Sequence, residues 1–374
     1  MTDTLTDHFN GRPDLSQLSA RIASGERASD EEVATALTPT MLDPFRLVAR
    51  CLAGRVRKVT GEPSLSHSVD VALRATLLGF SEEYILACLL HDIVEESSRT
   101  LEDVAVGLEA IRNRFGEEVA RDVRVLTNRY SIIFENVAPR VEAALPFELE
   151  SLAPVRDEIF RLQRDLPEAV QREFAEEFPF LLDYFYNRLL EDVKLDCCRK
   201  RARLNYNYTF VSELTLQAYH VYIVELADDA CKRLDPQGTR FYDRALVVKG
   251  MDMVDNQRTT PVTSTNIERA ILKAEIWLDR CYYLNDWLRC RQHRTTFENL
   301  YEYVKLQTIQ QLIERKLALK HLGDTRFELL AQAVESEIVR LREKYRVEGS
   351  PVLEIRRLTG EIQAHNQNLA TTTQ

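Results

Sequence analysis

LSHSVDVALRATLLGFSEEYILACLLHDIVEES, residues 65–97, is the stretch that decides the fold. Its apolar residues recur every three or four positions in two successive runs, Leu73, Leu77 and Phe80 in the first and Leu86, Leu89, Leu90 and Ile93 in the second. Gly79 lies near the end of the first run, and Ser81 is a suitable N-cap for the second, whose first turn is acidic. The stretch predicts two consecutive helices, the first from Ser68 to Phe80.

The rest of the chain is also helical in pattern. Gly and Pro number only 12 each in 374 residues, which favours helix. Ser29 is a plausible N-cap, and Thr100 with Asp103 resembles a capping box. A long amphipathic run extends from about Thr325 to Tyr345. Only LQAYHVYIVEL, residues 216–226, is a plausible strand, so we predict an all-α fold.

The charge of the chain limits its partners. It has 49 Lys and Arg against 59 Asp and Glu, a net charge of −10. Such an acidic protein is a poor candidate for nonspecific binding to nucleic acid or anionic lipid, so we expect neither partner. No run approaches about 18 uninterrupted apolar residues, and residues 1–14 lack the apolar core of a secretory signal. The seven cysteines form no CxxC pair, and we expect free thiols and a cytoplasmic location.

Four side chains suggest a metal site. His67 precedes the consecutive pair His91 and Asp92, and Asp252 follows much later among apolar neighbours. A carboxylate in an apolar helix costs free energy unless it is compensated. Imidazole nitrogen and carboxylate oxygen together suit Mn²⁺, Fe²⁺ or Zn²⁺. We therefore predict His67, His91, Asp92 and Asp252 as ligands of one metal ion.

Further polar residues accompany these ligands. Glu95 and Glu96 follow His91 and Asp92 by one helical turn, where a carboxylate can orient water or move its proton. Asn256 and Arg258 lie within two turns of Asp252, an arrangement that suits a metal together with a nucleotide.

Each of these signals has an ordinary explanation when taken alone. A single His-Asp dipeptide is close to noise, Glu95 and Glu96 could form a solvated helix end, and the basic pair Arg57 and Lys58 could be surface charge. The remaining histidines are more simply core or surface residues; they are His8, His220, His293, His321 and His365. The order and local context of the combined set favour the metal site.

The combined motifs resemble a known family. RKVTGEPSLSHSVDVA, LACLLHDIVEES and RFGEEVARDVRVLTN, with VKGMDMVDNQRTT later, resemble the HD-type hydrolase domain of the RelA/SpoT homologues. These enzymes remove the 3′-pyrophosphate of the alarmone (p)ppGpp. The match covers residues 55–130 and 246–260, about a quarter of the chain.

The resemblance implies a role for each matched position. His67, His91, Asp92 and Asp252 would hold one Mn²⁺, although another divalent transition metal is compatible with the ligands. Glu95 and Glu96 would be the catalytic acids, with Glu96 in place of the usual Asp. The residues expected to bind substrate are Arg57 and Lys58, which would flank the purine base, and Asn256, which would contact the nucleoside.

The chain also departs from the family. Asn128 follows Thr127 where the family usually has Lys, and Asp255 replaces a more neutral or basic residue beside Asn256. The distance along the chain from Thr127 to Asp252 is far longer than expected. ELAD at 225–228 imitates the ligand motif, but it lacks the following Asn and Arg, so we interpret Asp228 as a decoy. The C-terminal part lacks the mixed α/β pattern of a synthetase domain.

These observations divide the chain into six segments. An N-terminal segment, 1–40, precedes the first part of the HD core, 41–130. A proline-punctuated helical insertion, 131–245, separates it from the final metal-ligand helix at 246–265. A C-terminal helical region at 266–360 and a frayed tail at 361–374 complete the chain. The insertion or the C-terminal helices could form a homo-oligomer interface.

Three functions agree with the sequence. The first is hydrolysis of (p)ppGpp or a related alarmone such as (p)ppApp. The second is an HD phosphohydrolase that acts on another phosphorylated nucleotide, for example NADPH. The third is a metal-bound sensor or interaction module with a slow site. The presence of both Glu95 and Glu96 argues against the third.

Overall fold

The computed structural model describes residues 13–57, 60–144, 153–179, 210–232, 244–264, 272–282 and 296–372. Three residues named above, Lys58, His8 and His293, lie outside these ranges. The described residues contain helices and one isolated bridge between Val56 and Pro63, with no strand among them. The predicted all-α fold class is confirmed. Within the described ranges, no helix has the length and hydrophobicity needed to span a bilayer.

The first half of the described chain contains eleven labelled helices. They are α1 (Pro13–Ala23), α2 (Asp30–Ala36), α3 (Leu42–Cys51), α4 (Ser64–Leu77), α5 (Glu82–Leu90), α6 (Ile93–Ser97), α7 (Leu101–Phe115), α8 (Glu117–Leu126), α9 (Arg129–Ala144), α10 (Ala153–Asp165) and α11 (Glu168–Glu173). Ser29 caps α2 and Thr100 caps α7, each through a complete capping box. Ser81 is the N-cap residue of α5, but its side chain makes no capping hydrogen bond.

Six labelled helices follow in the second half. They are α12 (Phe210–Lys232), α13 (Arg244–Thr259), α14 (272–282), α15 (Thr296–Leu322), α16 (Glu328–Tyr345) and α17 (Pro351–Thr372). The predicted strand at 216–226 is wrong, because these residues lie inside α12. Most of them are apolar, β-branched or aromatic, and most side chains of residues 218–226 are buried. A helix that is apolar on several faces loses its 3.6-residue pattern and resembles a strand in sequence.

Contacts divide the chain into two compact units. The first comprises Met1–Ile93 and Ala227–Gln374, and the second comprises Val94–Leu226. Each of the six predicted segments contains residues outside the described ranges. The six segment boundaries therefore remain predictions.

Helices α4 and α13 form the centre of the first unit. α4 packs against α1, α5 and α13, and α13 packs in turn against α5 and α15. Both helices are buried on nearly all sides. Gly250 on α13 allows a close approach, because a Cβ there would lie 2.9 Å from the Trp277 ring on α14. Polar side chains on these two helices are consequently shielded from water.

The C-terminal helices of the first unit pack around α15, which contacts both α16 and α17. The core between α15 and α16 contains Ile309, Leu312, Leu319, Val334, Ile338 and Leu341. The sequence predicts a frayed tail over 361–374, but helix α17 continues to Thr372. Ile362 is fully buried, and Gln363 and Asn366 donate hydrogen bonds to the carbonyls of Leu77 and Leu78. These long-range contacts order the tail.

The second unit is built on helices α7 and α8, with α9 and α11 packed against α7. A buried charge cluster holds it together. The Arg129 side chain is fully buried and contacts Glu177 at 2.9 Å and Glu225 at 2.7 Å. Tyr222 donates a 2.8 Å hydrogen bond to the carbonyl of Leu126, which fixes the end of α8.

Candidate metal centre

Three elements of the first unit bring the predicted metal ligands together. His67 lies in the first turn of α4, which begins at Ser64 and so starts earlier than the predicted Ser68. His91 and Asp92 lie in a break between α5 and α6, not inside one continuous helix as the apolar pattern suggested. Asp252 lies in the middle of α13. His67, His91 and Asp252 are buried, and Asp92 is the most exposed of the four.

The distances between the ligand atoms are those of a metal site. The Nε2 atoms of His67 and His91 lie 3.2 Å apart, and the Oδ1 atom of Asp252 lies 2.9 Å and 3.9 Å from them. The carboxylate of Asp92 approaches the same two nitrogens at 3.3 Å and 3.2 Å. Ligand atoms around an ion at about 2.1 Å lie roughly 3 to 4 Å apart. His67, His91 and Asp252 form the group that could hold an ion, and Asp92 lies beside it.

In each imidazole the Nδ1 atom, which faces away from the proposed ion position, has a hydrogen-bond partner. The Nδ1 atom of His91 lies 2.7 Å from the carbonyl oxygen of Cys88, and Nδ1 of His67 lies 2.7 Å from Oδ2 of Asp255. A carbonyl or carboxylate oxygen can only accept, so both Nδ1 atoms carry the proton. In a neutral imidazole the Nε2 lone pair is then available to a metal. The donor set therefore fits a divalent ion.

The local charges also favour a cation at this place. Burial and Arg57 would lower the pKa of His67, but hydrogen bonds with Asp252, Asp255 and Asp92 raise it well above its usual value. Burial would raise the pKa of Asp92, whereas His91 and His67 hold it well below its usual range. The acids thus remain ionised and surround the imidazoles with negative charge. A divalent cation can take the place of a proton at Nε2 in such a setting.

Two of the three predicted substrate residues lie beside the ligands. Arg57 follows α3, which ends at Cys51. Its guanidinium donates to Asn256 at 2.5 Å and to Thr259 at 2.8 Å. The amide of Asn256 in turn donates to Oδ1 of Asp252 at 2.5 Å. The structure thus brings Arg57 and Asn256 together at the ligand helix, and their contact with substrate remains a prediction.

The predicted catalytic acids belong to helix α6 in the second unit. The Oε2 atom of Glu95 accepts a 2.8 Å hydrogen bond from the backbone N–H of Asn128, and Glu96 is exposed. Because the donor is a backbone N–H, this bond does not depend on the side chain at 128, where the sequence departs from the family. The catalytic roles of Glu95 and Glu96 remain predictions.

Three residues around the site, Lys249, Asp70 and Ser19, were not singled out in the sequence. Lys249 places its Nζ atom 2.6 Å from Oδ2 of Asp252. Arg258 joins Asp255 to Asp70, and Ser19 on α1 donates to Asp70. The sequence signal for them was weak, since each is a single polar or charged residue without a motif of its own. Asp228, interpreted as a decoy, pairs with Arg280 and is half exposed.

Arg315 stabilises the segment that follows the ligand helix. Its guanidinium is buried and donates to the carbonyls of Thr260, Pro261 and Ser264. Burial lowers the pKa of Arg315 to about 10. These bonds fix the C-terminal end of α13, where a cation also complements the helix dipole.

Comparison with known proteins agrees with this description. Residues 45–131 match the family model described as HD domain. Over 74 residues the chain is 43% identical to guanosine-3′,5′-bis(diphosphate) 3′-pyrophosphohydrolase of Aquifex aeolicus (strain VF5), a match covering 20% of this chain and 10% of that protein. No solved structure matches the chain. The resemblance to the HD domain of RelA/SpoT-type hydrolases is therefore confirmed, and it supports a metal-dependent hydrolase.

Proposed function

We propose that this chain is a metal-dependent pyrophosphohydrolase that removes the 3′-pyrophosphate of (p)ppGpp or of a related alarmone such as (p)ppApp. The observation that carries the proposal is the convergence of His67, His91, Asp92 and Asp252 from three separate elements. If the His91-Asp92 dipeptide were a chance occurrence, Asp252 would have no reason to lie beside it. Oδ1 of Asp252 lies 2.9 Å from Nε2 of His67 in the same cluster. The Aquifex relative supports the pyrophosphate chemistry, although the chain spans only about a tenth of its length.

We propose Mn²⁺ as the ion held by these four residues. A divalent ion bound there would supply Lewis acidity, which neutralises phosphate charge and makes water a stronger nucleophile. The protein contributes the orientation of the ligands. Cys88 and Asp255 fix the two imidazoles through their Nδ1 atoms, and Lys249 holds the second oxygen of Asp252.

The other predicted residues have proposed roles in the same reaction. Glu95 and Glu96 lie three and four positions after Asp92, on the helix that begins directly after the ligand pair, and we assign them as the acids that move protons during hydrolysis. Arg57 and Lys58 would flank the purine base, and Asn256 would contact the nucleoside. Arg57 and Asn256 must then exchange their mutual hydrogen bond for bonds to the nucleotide.

A substrate panel tests the proposed function. Purified protein would be incubated with Mn²⁺ and, separately, ppGpp, ppApp and NADPH, with His91→Ala as the control. We expect release of pyrophosphate from one of the two alarmones and no turnover by the His91→Ala variant. Release of orthophosphate from NADPH would instead favour the alternative nucleotide phosphohydrolase. If no substrate turns over above the control, the enzymatic proposal fails and a sensor role becomes the better explanation.

Glu95→Gln, measured in the same assay, tests the catalytic assignment. We expect a fall in rate of about 10² or more, because general acid–base catalysis typically contributes this much. The Mn²⁺ affinity should change little. Equal losses of rate and affinity would mean that Glu95 is a ligand or a structural residue.

A further inference from the structure

Asp255 is the feature of the site that the motifs do not account for. It stands where the resembling family has a more neutral or basic residue, yet its side chain is fully buried. Its two oxygens have different partners. Oδ2 lies 2.7 Å from Nδ1 of His67, and Oδ1 accepts from Nε and Nη2 of Arg258 at 3.1 Å and 2.7 Å.

The surroundings of Asp255 hold its carboxylate in one orientation. Arg258 lies one turn further along α13 and also binds Asp70 at 2.7 Å. Asp70 in turn accepts a hydrogen bond from Ser19 on α1. Arg57, in the segment after α3, places its Nη1 atom 3.5 Å from Oδ2 of Asp255. His67, Arg258 and Arg57 therefore all contact this carboxylate, which leaves it few alternative rotamers.

A need for a counter-charge to Arg258 does not by itself explain this geometry. Arg258 already pairs with Asp70, and it engages only the Oδ1 atom of Asp255. The Oδ2 atom faces a histidine 188 positions away in the sequence. An acid that binds the Nδ1–H of a metal-ligating histidine fixes the ring orientation and makes Nε2 a stronger donor.

We propose that Asp255 is a positioning residue that orients His67 and presents its Nε2 atom to the metal. The inference rests on the proposed metal site, and it adds a residue that the ligand motifs do not contain. Asp255 would act through His67 without touching the ion or the substrate. Its loss should therefore weaken metal binding while the ligand set stays complete.

Mn²⁺ titration by calorimetry tests the proposal. The proteins are the wild type, Asp255→Asn, Asp255→Ala and His91→Ala, with Asp70→Asn as the matched control. Asp70 is a buried acid on the same guanidinium, but its bonds go to Arg258 and Ser19 and not to a ligand. We expect Asp255→Ala to weaken Mn²⁺ binding about 10- to 100-fold and Asp255→Asn about tenfold. Asp70→Asn should stay within about threefold of the wild type, although it loses stability.

A second measurement reports on His67 itself. Histidine labelled with ¹⁵N in the ring, in the protein loaded with diamagnetic Zn²⁺, shows which nitrogen carries the proton. We expect Nδ1–H and a coordinated Nε2 for His67 in the wild type, and a shifted Nδ1 signal in Asp255→Asn. The isosteric Asn variant carries the test if Asp255→Ala does not fold.

The outcomes separate the two proposals. If the wild type binds no Mn²⁺ or Zn²⁺, the proposed metal site fails and this inference fails with it. If the wild type binds the ion and Asp255→Asn binds it as tightly as Asp70→Asn, only the positioning role is overturned. Selective weakening in the Asp255 variants, together with the shifted His67 signal, supports it.

Discussion

Lys249 shows at the scale of one residue how a buried carboxylate keeps its charge. Burial would raise the pKa of Asp252, but Lys249 and the hydrogen bond from His67 hold it well below its usual range. The ammonium lies 2.6 Å from one oxygen of Asp252, while the other oxygen faces the two histidines. Lys249 therefore balances the acid in the metal-free protein and competes electrostatically with a cation beside it.

Lys249→Met should reveal this competition. Removing one partner of a buried pair costs about 3 kcal/mol, and we expect a loss of this size in metal-free protein. A saturating divalent ion would compensate Asp252, so the loss should be smaller with Mn²⁺ present. Urea unfolding with and without Mn²⁺ measures both values.

Lys305→Met, which breaks the Lys305–Glu302 pair on α15, is the control and should lose the same stability in both conditions. An equal loss for Lys249→Met would contradict the prediction.

The sequence predicted that the four proposed ligands lie together, because their residue types and local context are specific, and the structure brings them together. Their binding of a metal remains a prediction. It did not predict the contact of Asp255 with His67, because Asp255 appeared only as a departure from the family pattern. The contact between Asp255 and His67 joins two helices that are distant in sequence. It depends on the rotation and depth of α4 against α13, and local residue patterns contain no such information. The same reason applies to Ser19 and Asp70.

At the scale of the element, the two predicted caps with complete capping boxes were confirmed, and a helix interruption was missed. The capping boxes at Ser29 and Thr100 are formed as expected, because they need only residues three positions apart. The break at His91 and Asp92 was missed, since the apolar spacing continues from Leu90 to Ile93. Tertiary packing can stabilise a helix break that the helix propensities of the residues do not predict. The strand predicted at 216–226 failed for a similar reason, because burial on several faces hides helical periodicity.

Glu275 on α14 illustrates how one charged residue joins two elements. It accepts two hydrogen bonds from Arg340 and one from Lys344, both on α16. Burial would raise its pKa, but the hydrogen bonds with Arg340 and Lys344 lower it below its usual value. A lowered pKa in the folded state means that the acid stabilises the protein above its unfolded pKa. That stabilisation disappears as pH falls through the folded value.

Glu275→Gln should therefore lose stability in a pH-dependent way. We expect a loss of about 1 kcal/mol at pH 7, the upper range for a partly exposed ion pair. The difference from the wild type should shrink as pH falls below about 4.5. Urea unfolding at a series of pH values gives the comparison.

The control is Glu354→Gln, which breaks an exposed pair with Arg357 and should change the free energy of unfolding little at any pH. A pH-independent loss in Glu275→Gln would point to packing instead of charge.

At the scale of the whole molecule, residues far apart in sequence complete the unit that contains the ligands. α17 lies near the C-terminal end of the sequence, yet it supplies Gln363 and Asn366 to the end of α4, the helix of His67. The all-α class could be predicted from composition and periodicity. The return of α17 to α4 could not, because a polar helix end looks the same whether it is free or bonded.

Truncation after Gly360 tests the importance of this contact. It removes the buried Ile362 side chain and leaves the carbonyls of Leu77 and Leu78 without their amide donors. We expect a loss of about 3 kcal/mol, typical of a large buried aliphatic side chain. Urea unfolding measures it, with Leu353→Ser, an exposed position on the same helix, as a control with little effect. An unchanged midpoint would restore the interpretation of residues 361–374 as a frayed tail.

The order of the ligands along the chain has a consequence for synthesis. His67, His91 and Asp92 emerge from the ribosome together, whereas Asp252 follows only after the intervening residues have been translated. At about 5–20 residues per second, this delay is roughly 8 to 30 s. The nascent chain thus holds two imidazoles and one acid long before α13 can close the site. If the four residues hold an ion as proposed, tight retention would require α13 to have docked, so a bound ion would mark a chain in which α13 has packed against α4.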